Sequence, residues 1–429
     1  GGLGIVRVSG PLVPDICRAV LGRLPEPRRA VLGDFKSGQG APIDTGLALY
    51  FPAPHSFTGE HVLELHGHGG IHVLNRVMRR VLDLGARGAR PGEFSERAFL
   101  NDKIDLVQAE AIADLIGSGS DAAARAAQRS LQGDFSREVH KLQETLTALR
   151  VFVEAAIDFP DEEIDFLAER DVVQRVQSAQ RQLESLLQDA RQGRLLRDGI
   201  VMAIIGRPNA GKSSLLNALS GQDSAIVTEI PGTTRDVLRE SIDLDGIPVH
   251  VADTAGIRDT DDVIEAEGVR RAREVLETAD IVLLVEDASA PGEHHETLEN
   301  EVPQHLNRIR VANKADLVEA EAPQADPARV WISAKTGQGM DSLRKRIRDA
   351  VGAADRSEGS FSARQRHVDA LKRAGRHLEA GRVEMRETGS GELLAEELRL
   401  AQAALGEITG EMLPNDLLGE IFSSFCIGK

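Results

Sequence analysis

The chain has 429 residues, enough for two or three domains, and its 41% hydrophobic but only 3% aromatic content means cores built on Leu, Ile, Val and Ala. A net charge of −17 excludes a protein that grips nucleic acid through its overall field, while leaving room for a local basic patch or a basic partner. Two cysteines, Cys17 and Cys426, exclude a disulfide framework and point to a reduced, cytoplasmic compartment, and no apolar run approaches the roughly 20 residues of a membrane span.

The sequence opens inside an apparent strand, "GIVRVSG", without an initiator Met or a signal peptide, so a few preceding residues are expected. Residues 1–102 read as mixed α/β: "GIVRVSG", "TGLALYF" and "HVLELHG" have strand patterning, with Gly- and Pro-rich turns between them. From 103 to 197 the chain is Ala-, Leu- and Gln-rich with apolar spacings of three and four. That pattern predicts one long helix from Leu106 towards Phe159, a break at Pro160 and the acidic "DEEID", and a second amphipathic helix to about Gln192. Residues 198–355 alternate strand and helix as a parallel α/β domain does, with a solvated loop at 319–328. Residues 356–429 are helical again. The expected fold is therefore multidomain: an N-terminal α/β domain, and a helical domain split by an inserted α/β domain. Cys426 stands fourth from the end, but Gly428 and Lys429 do not fit a prenylation signal.

The inserted domain carries the most specific chemistry. "IVMAIIGRPNAGKSS" is strand, glycine loop and helix, and Gly206 to Ser213 fits G-x-x-x-x-G-K-[ST]. In such a loop the N–H groups of Asn209, Ala210, Gly211, Lys212, Ser213 and Ser214 surround a β-phosphate. Lys212 spans the β- and γ-phosphates, Ser213 ligates Mg²⁺, and the helix dipole favours the anion. Asp253, after the strand "IPVHVAD", suits an outer-sphere Mg²⁺ carboxylate, and Thr254, Ala255 and Gly256 follow as a γ-phosphate loop. "NKAD" (Asn313, Lys314, Ala315, Asp316) ends another strand. Asp316 can accept from the N1 and N2 donors of guanine, which adenine lacks. Ser333, Ala334 and Lys335 offer a backbone N–H to guanine O6. The loop Thr228, Glu229, Ile230, Pro231, Gly232, Thr233 and Thr234 lies between the first helix and the next strand, with Thr234 free to cap Mg²⁺. Five segments in this order predict a Ras-like P-loop domain that takes GTP.

One part is missing. After Asp253-Thr-Ala-Gly, many GTPases carry a glutamine that orients the attacking water, and here Ile257 stands in its place. An Asn209 side-chain oxygen together with carbonyls of the Thr228–Thr234 loop would make an oxygen nest for a monovalent cation such as K⁺; a turn-stabilising Asn209 is the plainer alternative. For the water, the carboxylates Asp259, Asp261, Asp262, Glu265 and Glu267 are candidates, and Arg235 and Arg258 are alternative charge donors.

Over nearly its full length the chain resembles the MnmE (TrmE) family of tRNA-modification GTPases. The likeness rests on "PHSFTGEHVLELHGHGG", "RPGEFSERAFLNDKIDLVQAEAIADLI", "GRPNAGKSSLLNAL", "PGTTRDVLRE", "DTAGIR" and the tail "LLGEIFSSFCIGK". The resemblance implies three domains: a tetrahydrofolate-binding, dimerising domain over 1–102, a helical domain formed from 103–197 and 356–429, and a G domain over 198–355. It implies GTP hydrolysis stimulated by K⁺ when two G domains meet in a homodimer, with K⁺ held by Asn209, Thr228, Ile230 and Thr233. Glu265 becomes the water-activating carboxylate, acting through a bridging water. It also implies an FAD-containing partner (MnmG/GidA), tRNA bound largely through that partner, and a 5-formyl- or 5,10-methylene-tetrahydrofolate. The folate contacts map onto Arg7, Glu64, Lys103 and Lys429. Glu64 would accept in parallel from the amino group and ring N–H of a pterin. Periodicity alone would make Glu64 and Arg7 polar residues on a wet strand face. Cys426 reads equally as a nucleophile near the folate or as a small packing residue. His66 and His68 lack a third ligand for zinc. A ribosome-assembly or RNA-checkpoint GTPase shares the nucleotide motifs but would append a basic RNA-binding module, and none is apparent here.

Overall fold

The computed structural model describes residues 1–158, 169–207, 209–220, 239–244, 246–252, 276, 279–290, 302–304, 306–318, 328–352, 361–411, 418–419, 421–422 and 425. The chain forms two compact units: Gly1–Ala113 with Gly406–Lys429, and Asp114–Leu405.

The first unit is built on a four-stranded antiparallel sheet with strand order β1-β4-β3-β2, formed by β1 (Leu3–Ser9), β2 (Val31–Lys36), β3 (Pro42–Phe51) and β4 (Val62–His68). Alternation sorts the side chains into two faces. Val6, Val8, Ala48, Tyr50, Leu63 and Leu65 turn inward, against α1 (Val13–Leu21) and α2 (Ile71–Asp83). Arg7 stands directly opposite Glu64 in the β1–β4 register, and Ile5 opposite His66, on the other face. Helix α3 (Glu93–Leu100) and the first turns of α4 (Leu106–Ile116) bury Leu106 and Ala109 with Phe99 against Phe422 and Phe425 of the C-terminal segment. Gly92 makes this contact possible: its φ is +66°, and a Cβ there would collide with the Phe422 carbonyl.

The long helix predicted from Leu106 is three helices: α4, most of which belongs to the first unit, and α5 (Asp121–Leu131) and α6 (Asp134–Asp158) of the second. The breaks are local. "GSGS" at 117–120 supplies flexible backbone and the cap Ser120, whose Oγ accepts from Ala123 N at 3.1 Å. Gly133, with φ +84°, turns the chain between α5 and α6. Helix α7 (Glu169–Asp198) runs six residues past the predicted end at Gln192. It packs on α6 and on the helix that follows the α/β part, α10 (Gln365–Thr388). Buried positions recur at helical spacing: Leu142, Leu146, Leu149 and Val153 on α6, and Leu371, Ala374 and Leu378 on α10. Helix α11 (Gly391–Thr409) buries Leu394, Leu398 and Ala401 in the same way.

Between α7 and α10 lies a six-stranded sheet of order β10-β9-β8-β5-β7-β6. Its strands are β5 (Ile200–Gly206), β6 (Arg239–Leu244), β7 (Ile247–Ala252), β8 (Ile281–Asp287), β9 (Asn307–Asn313) and β10 (Arg329–Trp331). All neighbours are parallel except the β6–β7 hairpin. The central strands read as unbroken apolar runs, "IVLLV" in β8 for example, because a parallel sheet is covered on both faces. Helices α8 (Lys212–Ser220) and α9 (Met340–Ala350) supply Leu215, Leu219, Leu343 and Ile347 to the sheet core. Asp114 at the end of α4 binds Arg197 of α7 and Arg364 before α10, so the two crossings of the chain between helices and sheet meet on one buried carboxylate.

Candidate functional site

The sheet's chemistry gathers where β5, β8 and β9 end. After β5, Asn209 to Gly211 lead into α8, which begins at Lys212. Asn209 is left-handed with φ +63°, and Gly211 has φ +91°. A Cβ on Gly211 would collide with Asn313 Nδ2, so only glycine permits the loop to lie this close to the end of β9. Lys212 Nζ folds back and donates to Gly206 O at 2.6 Å and Arg207 O at 2.9 Å, and partial burial lowers its pKa. Ser213 and Ser214 are exposed in the first turn of α8.

Asn313 is the structural hinge of the site. It is 2% exposed, its Nδ2 donates to Ala210 O at 3.0 Å, and its Oδ1 accepts from Ala334 N at 3.1 Å. One side chain thus joins the glycine loop, the end of β9 and the loop after β10. Ala315 N donates to Ile332 O, which ties the same two loops again. Asp316 is exposed on the short turn Ala315–Leu317, and Lys335 is exposed on the neighbouring loop. Lys314, left-handed at φ +65°, pairs through Nζ with Asp287 Oδ2 at 2.5 Å. Burial pushes the Asp287 carboxyl up, but donors from Lys314 and Ser289 more than offset it, so its pKa lies below the ordinary value. Sequence reasoning had passed over Asp287. Its only signal was an acid closing an apolar strand, one strand before its partner's motif.

The structure therefore brings together Asn209, Ala210, Gly211, Lys212, Ser213 and Ser214 with Asn313, Lys314, Ala315, Asp316, Ser333, Ala334 and Lys335. Residues 228–234, 253–256 and Glu265 lie outside the described residues, as do Cys426 and Lys429.

In the first unit Arg7 and Glu64 meet as the register predicts. Arg7 Nε donates to Glu64 Oε1 at 2.8 Å, and His66 Nε2 lies 3.0 Å from Glu64 Oε2. Burial raises the Glu64 pKa, yet the His66 and Arg7 partners more than offset that and hold it below the ordinary value. The Arg7 guanidinium lies 5.7 Å from the Phe94 ring centroid. A cavity of about 560 Å³ follows β1 and is lined by Arg7, Met78, Leu82, Glu93, Phe94 and Arg97 among others. Lys103 is exposed in the turn after α3 and is not part of that lining. His68 binds Asp44 at 2.8 Å at the strand end. A second network was not foreseen: Glu93 accepts from Arg87, from Arg97 Nη2 at 2.8 Å and from Arg90 N at 2.8 Å, and Arg97 also donates to Glu60. Cys17 is buried in the core, which pushes its thiol up to about 12.

A glycine loop between a central parallel strand and a helix, faced by an Asn-Lys-x-Asp turn, defines a P-loop nucleotide-binding protein of the guanine-selective type. A family model described as the GTP-binding protein TrmE N-terminus matches residues 1–103, and one described as the MnmE helical domain matches residues 106–426. The tRNA modification GTPase MnmE of Stutzerimonas stutzeri is 56% identical over 440 residues, covering 100% of this chain and 96% of that protein. Its counterpart in Thiobacillus denitrificans is 55% identical over 430 residues, covering 100% and 95%. Among solved structures, Aquifex aeolicus Era bound to GDP·AlF4⁻ is 27% identical over 42% of this chain and 66% of that one, with a TM-score of 0.29. The chain belongs to the MnmE family of tRNA modification GTPases.

Proposed function

We propose that this tRNA modification GTPase hydrolyses GTP in a K⁺-stimulated reaction and couples it to modification of the wobble uridine of tRNAs at C5. The observation that carries the nucleotide half is the Asn313 bridge. It fixes the glycine loop and the Asp316 turn in one frame, so a phosphate group at the first can be linked to a guanine at the second. Around a bound nucleotide, Lys212 would leave the Gly206 and Arg207 carbonyls for the β- and γ-phosphates. The tight Gly211 backbone would offer N–H groups at the start of α8. Ser213 and Thr234 are the proposed Mg²⁺ ligands. Mg²⁺, when bound, neutralises charge on the phosphate oxygens. The left-handed, exposed Asn209 suits a side chain that turns its oxygen towards a cation, and it is the K⁺ ligand we propose, with Thr228, Ile230 and Thr233. Glu265 is the proposed water-activating group.

For the modification half, the pair of Arg7 and Glu64 beside an apolar-walled cavity supports a folate reading. A carboxylate kept ionised by its neighbours can accept the paired donors of a pterin, and nearby cations suit an acidic tail. Lys103, Lys429 and Cys426 complete the proposal, with an FAD-containing partner (MnmG/GidA), tRNA held largely through that partner, and action as a cytoplasmic homodimer. The division into domains 1–102, 103–197 with 356–429, and 198–355 belongs to the same reading.

GTP turnover measured against K⁺ and Na⁺ concentration, with and without 5-formyltetrahydrofolate, tests it. Turnover that rises with K⁺ and falls sharply in Glu265→Gln is expected. Equal rates in Na⁺ and K⁺ would refute the cation assignment, and a normal rate in the variant would refute the assigned base.

A further inference from the structure

We propose that Asp287 is a positioning residue for nucleotide binding: it tethers Lys314 so that the lysine stem forms a ready-made ledge for the guanine ring. The inference rests on the reading of the Asn313–Asp316 turn as the guanine site.

Asp287 is the last residue of β8, which runs parallel between β5 and β9, and its register partner is Asn313. The backbone around it is wired to the same turn, because Ala288 N donates to Asn313 O at 2.8 Å. Its carboxylate is oriented from behind. Oδ1 accepts from Ser289 N at 2.9 Å and from Ser289 Oγ at 2.6 Å, which leaves Oδ2 to take the Lys314 ammonium at 2.5 Å. Neither partner is fully solvated: the Asp287 side chain is 24% exposed and that of Lys314 is 32% exposed.

Lys314 is thus fixed at both ends. Its backbone sits in the left-handed region, at φ +65° and ψ +34°, which a non-glycine residue adopts only when its surroundings impose it. Its ammonium is held by Asp287. Between them lie four methylenes, which in a free lysine carry one of the largest side-chain entropies. A purine bound through Asp316 needs an apolar surface along its ring. A free lysine would have to be ordered at the moment of binding, whereas a tethered one has already been ordered by folding, and that preorganisation appears as affinity. Asp287 touches no part of the nucleotide in this account and acts through Lys314. Because a methylene ledge is indifferent to the exocyclic amino group, Asp287 governs affinity for the base and not the choice of base, which stays with Asp316.

The test is titration of the full-length chain with N-methylanthraniloyl-GDP and the corresponding inosine nucleotide. The variants are Asp287→Asn, Lys314→Met (which keeps a linear stem without the charge) and the double substitution. Asp287→Asn should weaken both nucleotides by the same factor, about fivefold for a partly exposed ion pair. The loss should appear in Kd and KM, with kcat at saturating GTP changed by less than about twofold. In the Lys314→Met background, Asp287→Asn should have no further effect. Unchanged or tighter binding by Asp287→Asn overturns the proposal, since it would mean that Lys314 works away from Asp287. Additive losses in the double variant overturn it too, as does a collapse of the guanine-to-hypoxanthine preference, which would mark a distorted Asp316 turn. A wild-type chain that binds neither nucleotide overturns the site reading itself, and this inference with it.

Discussion

Replacing Glu93 by Gln should destabilise the unit that contains the four-stranded sheet, and should do so in a pH-dependent way. The Glu93 side chain is 5% exposed and receives Arg87, Arg97 and the Arg90 N–H. Hydrogen bonding from Arg87 is the largest influence on its carboxyl, with the Arg90 N–H and Arg97 adding to it against the cost of burial, and the pKa falls from 4.5 to about 2. A depression of that size is worth about 3 kcal/mol, at about 1.4 kcal/mol per tenfold in proton affinity. Arg87 is 61% exposed and therefore screened, so about 2 to 3 kcal/mol is the expected loss near neutral pH. The folded pKa is lower than the unfolded one. The contribution is therefore complete above about pH 4.5 and drains away as pH falls towards 2, so the gap between wild type and variant should shrink by about two-fifths at pH 3.5. Urea unfolding provides the assay, because the chain has one Tyr and one Trp. Tyr50 lies in the sheet core of the first unit, and Trp331 lies in the second. The Tyr50 near-ultraviolet dichroism transition should move in Glu93→Gln and the Trp331 fluorescence transition should not. A variant gap that is the same at pH 7 and pH 3.5, or a loss below about 0.5 kcal/mol, would refute the reasoning.

Gly211→Ala should lower GDP affinity at least about tenfold by calorimetric titration, because the new Cβ meets Asn313 Nδ2 at a φ of +91° and the bridge to Ala210 must give way. Asp114→Asn weakens the anchor of Arg197 and Arg364 on a side chain 6% exposed, and should cost about 2 to 4 kcal/mol in the Trp331 transition. Cys17, with its thiol near 12, should stay protonated at pH 8 and react with a disulfide reagent only after the sheet core unfolds, a difference that a thiol titration with and without urea reads directly.

The nucleotide loop was legible because its chemistry is local. Gly206 to Ser213 are consecutive, and their types follow from what a phosphate requires: a backbone without a Cβ at Gly211, one long cation, and a hydroxyl at the helix start. Arg7 and Glu64 were different: periodicity alone made them polar residues on a wet strand face, only the family resemblance singled them out, and the β1–β4 register is what joins them. The three-helix break after Leu106 was misread although its signal was present. "GSGS" at 117–120 and Gly133 interrupt a strong apolar periodicity, and the periodicity was allowed to outweigh them.

What could not be read belongs to pairings fixed by topology. Asp287 and Lys314 are 27 residues apart and meet because β8 and β9 lie side by side in the sheet. Asp114 meets Arg197 across 83 residues and Arg364 across 250. No window of sequence marks these carboxylates as different from the many solvated acids of a chain with 68 Asp and Glu residues. The difference is physical: Asp114 is buried and Asp287 is half-buried and oriented by Ser289, so each takes a cation from whichever element the fold brings alongside. A net charge of −17 does not reveal such sites, and they are found only when the strands and helices that carry the cations have been placed.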